Sequence, residues 1–466
     1  MKKAFLLLAL LTTLATAQPI QLDMNVFAER REAFMKKMEP NSAAIFPCKP
    51  GYLRNLDVEY DYRQESNFYY LSGFEEPEAI LIINPSAPKH KYVMFVRKRD
   101  AGRETWDGAR AGVEGAMTTF KADTTYVFDD FQSKAYRHFA YGGTIYYTFG
   151  INMKIDDMMR EMFVERRSGG NWPIADPSAI LAEMRVIKND GDLKMGMQKA
   201  VEISAKAHIE AMKSIEPGMN ESEIQAVFEF VYRRNGSPRN GYPCIVGSGP
   251  NSCTLHYNKN TRTMKDGELL LMDCGAEYGY YSADITRTVP VNGKFTKEQR
   301  EIYQIVLDAQ NAAMRLVKPG LIKKELDAAI DSVLGNGLVK LGFIKDKKDF
   351  RTFTLHGYSH WIGLEVHDVG SYTLNGKSRP LEAGMCFTLE PGIYVRPDLF
   401  EKMKYPDGEI EKFRKKIEPY LNIGVRIEDD ILVTENGYIN MSANAPREIN
   451  VIEKLMKQKG VGNSAN

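Results

Sequence analysis

The sequence predicts an α/β protein of two domains, the second assembled from two related halves, and three observations lead there. The chain has 466 residues, beyond the ~250–300 at which a single hydrophobic core stops growing. Residues 24 to about 165 alternate apolar, strand-like runs (Ala79 to Asn84, Tyr92 to Val96, Thr144 to Phe149) with amphipathic stretches, and Gly and Pro punctuate the joins. Further on, Ala207, Ala211, Met212, Pro217, Gly218, Glu223 and Ile224 return 102 residues later as Ala309, Ala313, Met314, Pro319, Gly320, Glu325 and Leu326. In each copy a helical pattern runs into Pro-Gly and a second one starts a few residues on, which suits helix ends. Two such halves facing each other build a cleft at a pseudo-twofold axis.

Taken in order, residues 1–17 begin with Lys2 and Lys3, continue through the apolar run Phe5 to Leu11 and end in Ala15-Thr16-Ala17. That is the pattern of a secretory signal peptide, so the chain is expected to be exported, periplasmic or secreted. An uncleaved anchor is the alternative, but the run falls short of the ~20 residues that span a bilayer, and no later segment is apolar enough. The first domain takes residues 18–175, ending after a Gly-rich stretch around Arg166 to Pro173. A long helical pattern, Asp190 to Ser214, opens the second domain, residues 176–450. Residues 451–466 read as a polar tail, disordered beyond Lys457. The charged segment Glu401 to Pro419 reads as a surface insertion able to border the cleft.

With 62 Lys+Arg against 61 Asp+Glu spread along the chain, nucleic acid and anionic membranes are excluded as electrostatic partners. The five cysteines (Cys48, Cys244, Cys253, Cys274, Cys386) are odd in number and scattered, without a Cys-x-x-Cys pair. They are expected as buried thiols rather than disulfides or nucleophiles.

Chemistry concentrates in the second domain. Glu268 to Thr288 reads as two strands joined by a Tyr278-Gly279 turn; in that register positions summing to 557 face each other, which sets Asp273 opposite Asp284 at roughly 5 Å between Cβ atoms. Two such carboxylates repel unless cations neutralise them. A register slipped by one residue leaves them as ordinary surface acids. Three of the seven histidines, His356, His360 and His367, fall within twelve positions beside Gly357 and Gly363, where backbone approaches something closely. Glu390 and Glu428 sit in or at the end of apolar strands, and an acid there needs a partner: a cation, or a salt bridge such as one with Arg426.

These residues resemble the creatinase/methionine aminopeptidase superfamily with its pita-bread fold, and within it the Xaa-Pro aminopeptidase (aminopeptidase P) branch. The resemblance rests on the two aspartates, His356-Gly-Tyr-Ser-His360, Glu390-Pro-Gly and Val-Arg426-Ile-Glu428-Asp. Upstream, Asp61-Tyr-Arg63-Gln-Glu-Ser-Asn67 through Gly73 to Pro77 looks like that branch's smaller, creatinase-like α/β N-terminal domain. It implies two divalent metal ions held by Asp273, Asp284, His360, Glu390 and Glu428. Manganese is implied, and an oxygen-rich ligand set tolerates cobalt or zinc. It also implies hydrolysis of the N-terminal Xaa-Pro bond of peptides by a metal-activated bridging water, with Glu390 as proton shuttle. His256 and His367 are then expected to hydrogen-bond substrate and oxyanion, His356 to line the proline pocket, and Arg426 to brace the ligands. Tyr242 and Tyr394 are candidate walls, against plain packing in half-buried strands. Trp106 is similar to a tryptophan that reaches into a neighbouring subunit's site in bacterial relatives, against a plain core or surface aromatic, and a homo-oligomer, dimer or tetramer, is expected. Two rivals stand: an Xaa-Pro dipeptidase (prolidase), and a metal-free binding protein of the same fold.

Overall fold

The computed structural model describes residues 22–139, 142–165, 172–402 and 409–463. The predicted signal peptide, residues 1–17, and most of the Gly-rich stretch, residues 166–171, lie outside them. Among the described residues no helix is long and apolar enough to cross a membrane.

The N-terminal domain is a six-stranded sheet in the order Thr124–Val127, Tyr92–Val96, Ile80–Ile83, Ala43–Pro47, Ile145–Tyr146, Ile174–Ala175. The middle three strands pair antiparallel, and parallel strands flank them on both sides. Parallel neighbours require crossover connections, which here include the helices Ala101–Asp107, Gly112–Thr118 and Met153–Glu165. Layers cover the sheet, so the strands Ile80–Ile83 and Tyr92–Val96 are buried at every position and read as continuous apolar runs.

The repeat is realised in the second domain as two helix pairs, Gln198–Ser214 with Glu221–Arg234 and Lys297–Met314 with Lys323–Leu341. The correspondence reaches individual hydrogen bonds. Gly218 and Gly320 adopt φ of +93° and +88°, and their N–H groups donate to Met264 O at 2.9 Å and Leu381 O at 2.8 Å. Glu223 and Glu325 accept from the N–H of Asn220 at 2.6 Å and Ile322 at 3.1 Å, closing equivalent helix starts. Each half then lays down an antiparallel pair: Leu269–Asp273 on Thr286–Pro290, and Cys386–Leu389 on Asp429–Thr434. The pairs end at Asp273 and beside Glu390 and Glu428, so both halves deliver acids to the same place.

The expected hairpin forms in a different register. Asp273 faces Thr286 and Tyr278 faces Tyr281, so paired positions sum to 559 and Asp284 is not directly opposite Asp273. The turn is Gly279-Tyr280, with φ of +56° and +70°, the two positive values that a two-residue turn matching strand twist demands. Tyr280 tolerates this because its ring stacks on Tyr69 at 3.6 Å and its hydroxyl accepts from Gln64 N at 3.1 Å, both from the N-terminal domain. A shift of two residues keeps every side chain on its original face. Asp273 and Asp284 are therefore diagonal rather than opposite neighbours, still on one surface.

One further expectation is corrected. The C-terminal segment is ordered against the core: Ile449–Leu455 is a helix with Ile452 buried. Beyond it Gly462 N donates to Ser214 Oγ at 2.9 Å and Asn463 Nδ2 to Ser214 O at 3.1 Å, because glycines there allow the close approach. Within Glu401 to Pro419, read as a surface insertion, the helix Glu409–Ile417 is mostly exposed and anchors on the core through Phe413 and Ile417, while residues 403–408 lie outside the described residues.

Candidate dinuclear metal centre

A cavity of about 670 Å³ opens between the two halves, with Asp273, Asp284, His360, Glu390 and Glu428 all on its wall. Asp273, Asp284 and Glu428 are buried. One donor atom each from Asp284, His360 and Glu428 lies within 4.8 Å of the others. His360 Nε2 is 3.5 Å from Asp284 Oδ2 and 3.6 Å from Glu390 Oε1. Its Nδ1 lies 3.1 Å from the Trp361 carbonyl, which only accepts, so Nδ1 carries a proton and Nε2 is the atom turned toward the acids, free to ligate a cation once it gives up its own proton.

The electrostatics mark a cation site. Burial, then repulsion from Asp284, Glu390 and Asp273, pushes Glu428 well above the usual carboxylate range. Burial likewise raises Glu390 to about 7 and Asp273 to about 6. Burial also acts on Asp284, but hydrogen bonding and attraction to His360 outweigh it and hold this acid low, while His360 is raised to about 9 against the opposing effect of burial. Tyr242 makes the same point geometrically. Its hydroxyl lies 2.6 Å from Asp273 Oδ1 and 2.7 Å from Asp284 Oδ1, and one hydroxyl proton cannot serve two carboxylates. The second contact needs a proton on a carboxyl or a cation between them. A hard, oxygen-rich donor set of four acids and one imidazole fits divalent cations, which would neutralise what the site otherwise neutralises with protons.

Arg426 organises the floor. Its Nη2 donates to Asp273 Oδ2 at 2.6 Å, Nη1 to Tyr394 Oη at 2.9 Å, and Nε to Thr286 Oγ1 at 3.0 Å. Thr286 in turn donates to Glu428 Oε2 at 2.6 Å, and Arg426 itself stays 4.0 Å from Glu428. Tyr394 is buried and does not line the cavity, so it is no wall: strand Gly392–Val395 places it beneath the floor, linking Arg426 to His356 Nε2 at 2.7 Å. His356 Nδ1 donates to Gly357 O at 2.6 Å and lies 3.4 Å from Glu390. Burial, then the nearby Arg426 charge, pushes His356 down to about 4, keeping it neutral.

His256, His367 and Tyr242 line the cavity; both of these histidines are exposed into it, and the His367 ring stacks on His360 at 3.8 Å. Trp106 is not brought to the site: it is 86% exposed on a helix with no buried residue. Residues unremarked in the sequence complete the arrangement. Thr388 accepts from His360 N at 3.1 Å and donates to Glu390 at 3.4 Å, and the buried Asp430 accepts from Asp284 N at 3.1 Å.

Comparison with known proteins agrees with this geometry. The model of metallopeptidase family M24 matches residues 195–435, and that of the aminopeptidase P N-terminal domain matches residues 27–151. The chain is 38% identical over 450 residues to the Xaa-Pro aminopeptidase of Escherichia coli (strain K12), covering 94% of this chain and 98% of that protein. Over 439 residues it is 34% identical to Xaa-Pro aminopeptidase 3 of Homo sapiens, covering 90% and 81%. Among solved structures, an aminopeptidase of Pseudomonas aeruginosa superposes with a TM-score of 0.86 at 38% identity, covering 94% of this chain and 99% of that one. Escherichia coli aminopeptidase P in complex with substrate gives the same values. The acid-and-histidine cavity, the doubled helix pairs and the preceding α/β domain thus have one common explanation: the chain belongs to metallopeptidase family M24, in its aminopeptidase P branch.

Proposed function

We propose that this protein hydrolyses the N-terminal Xaa-Pro bond of peptides, using two divalent cations held by Asp273, Asp284, His360, Glu390 and Glu428. The observation that carries the reading is the convergence of these five side chains, strongly acidic in sum, on one cavity of an aminopeptidase P chain. Lewis acidity is the chemistry that such ions supply when bound: it brings the pKa of a water toward neutrality and polarises a carbonyl oxygen. Manganese is the proposed metal, on the strength of the hard donor set; the zinc-substituted aminopeptidase P of Escherichia coli, solved with product, is the precedent for zinc in such a site.

The remaining work falls to the chain. Glu390 takes the proton from the attacking water and delivers it to the proline nitrogen, which as part of a tertiary amide must be protonated to leave. His256 and His367 donate to the substrate and to the developing oxyanion. The apolar wall of Pro243, Ile245, Leu255 and Val366 leaves room for a proline ring, with neutral His356 beside it. Export through residues 1–17 and a homo-oligomeric state belong to the same proposal; the signal pattern supports the first, and the uncovered indole of Trp106 the second.

The test is a peptide panel with and without proline at the second position, run with added Mn²⁺ and after chelation. Cleavage confined to Xaa-Pro peptides and abolished by chelation is expected; metal-independent turnover or indifference to proline sinks the reading. Faster turnover of Gly-Pro than of a longer Xaa-Pro-Yaa peptide would favour a dipeptidase instead.

A further inference from the structure

His367 is exposed into the cavity, and among the described residues its ring makes no hydrogen bond to the protein; it stacks on His360 at 3.8 Å with 15° between the planes. Such a ring is placed by its backbone, so the question is what fixes residues 360–368. Asp368 N donates to Trp361 O at 2.9 Å, closing the loop so that its two histidines meet. The Asp368 carboxylate, 1% exposed, is gripped by Arg185 on one oxygen and by Lys188 Nζ at 2.9 Å on the other. Burial raises this acid, but the charges of Lys188 and then Arg185 outweigh it and hold Asp368 below its usual range, so the clamp is ionised. Both cations lie where the two domains join. Arg185 also donates to Asn67 Oδ1 at 2.8 Å, and Arg63 donates to Leu364 O of the loop at 2.6 Å. Gly363 keeps the space open: a Cβ there would collide with Asp368 Oδ2 and come within 2.8 Å of Lys188.

We propose that Asp368 is a positioning residue: its two-cation clamp at the domain junction fixes the backbone that presents His367 over His360. The N-terminal domain braces this clamp and its loop through Asn67 and Arg63, without touching substrate. The inference rests on the aminopeptidase reading for its kinetic consequence and on the stacked imidazoles for its structural one.

The experiment is a double-mutant cycle on the metal-loaded enzyme with an Xaa-Pro-Yaa peptide, combining Asp368→Asn with His367→Ala. Misplacement of a reacting group by about 1 Å costs on the order of 100-fold, so Asp368→Asn is expected to lower kcat about 10- to 100-fold. Metal stoichiometry should stay at the wild-type value, and the effect should shrink to less than about twofold once His367 is already alanine. An equal loss of kcat in both backgrounds, or loss of metal, overturns the proposal, because a merely structural or ligand-supporting residue behaves that way. Should Asp368→Asn not fold with its two cations unpaired, Gly363→Ala displaces the same carboxylate without removing a charge and is read by the same cycle. If wild-type protein cleaves no Xaa-Pro peptide, the functional reading fails on its own. The clamp is then judged by the crystal structure of either variant: departure of His367 from the His360 stack supports it, and an unchanged stack refutes it.

Discussion

Arg426 commits every nitrogen of its guanidinium: one to Asp273, one through Thr286 to Glu428, one through Tyr394 to His356. A lysine offers a single point of charge in place of that planar fork. Arg426→Lys is therefore expected to lower metal affinity or turnover about 10- to 100-fold, as loss of an orienting partner behind a metal ligand does, measured by metal titration and kcat. Asp273→Ala and Glu428→Ala should lose metal and activity together, whereas His256→Ala should keep its metal and lose about 100- to 1,000-fold in kcat, the scale of one lost oxyanion donor. Metal analysis beside kinetics separates the two classes, and metal loss in His256→Ala would show its role to be misassigned. The acids and histidines were legible as a set: a salt bridge can satisfy one buried acid in an apolar strand, as Arg287 does for Asp429, but four acids beside clustered histidines call for cations. Thr286 and Thr388 were not, since threonine in a strand is ordinary and only the fold reveals what its hydroxyl touches. For Tyr394 the sequence leaves a cavity wall and plain strand packing equally open, because it does not encode which side of the ligands a buried strand residue lies on; the strand places it beneath them.

At the scale of elements, the Asp273–Asp284 hairpin depends on backbone approaches that only glycine permits. A Cβ on Gly275 would strike the carbonyl oxygen of Ala283 on the facing strand, between the two aspartates. Gly275→Ala is expected to destabilise the protein by about 3 kcal/mol, the upper end for an overpacked core, and to weaken metal binding by spreading the strands. Urea unfolding and metal titration check both; unchanged values would mean that the strands can part freely. The sequence announced this hairpin but misplaced its turn. Local signals favour any dipeptide containing glycine, and what selects Gly279-Tyr280 is the stack of Tyr280 on Tyr69, about 200 residues away in the chain, a contact that no local pattern encodes. The helix repeat was more legible because Pro-Gly and the capping acids are local and occur twice.

For the molecule as a whole, stability responds to pH through groups buried far from solvent. His208, on the helix Gln198–Ser214, is fully buried against the Cys274 carbonyl and the Phe228 ring. Burial, then the nearby Arg287 charge, pushes it down to about 3. The unfolded chain protonates it near the ordinary value of about 6.5, so its contribution is fully present above that pH. It is lost as pH falls between about 6.5 and about 3, at up to ~1.4 kcal/mol per pH unit. His208→Gln should flatten the acid limb of a stability-versus-pH curve by that slope; a parallel limb would rule the group out. The division into an α/β domain and a doubled domain was legible in pattern and length, while the ordered C-terminal segment was not, since its polar residues gave no hint that Ser214 would hold them.

The buried cysteines carry a practical corollary. Cys48 and Cys386 lie in the core of the first domain and its seam, Cys244 and Cys274 in that of the second, and Cys253 in a small satellite cluster. A thiol-alkylating reagent should leave all five untouched in the native protein, and peptide mapping of labelled chains in mild denaturant becomes a position-stamped clock. The order in which Cys48 and Cys274 acquire label reports which lobe breathes open first.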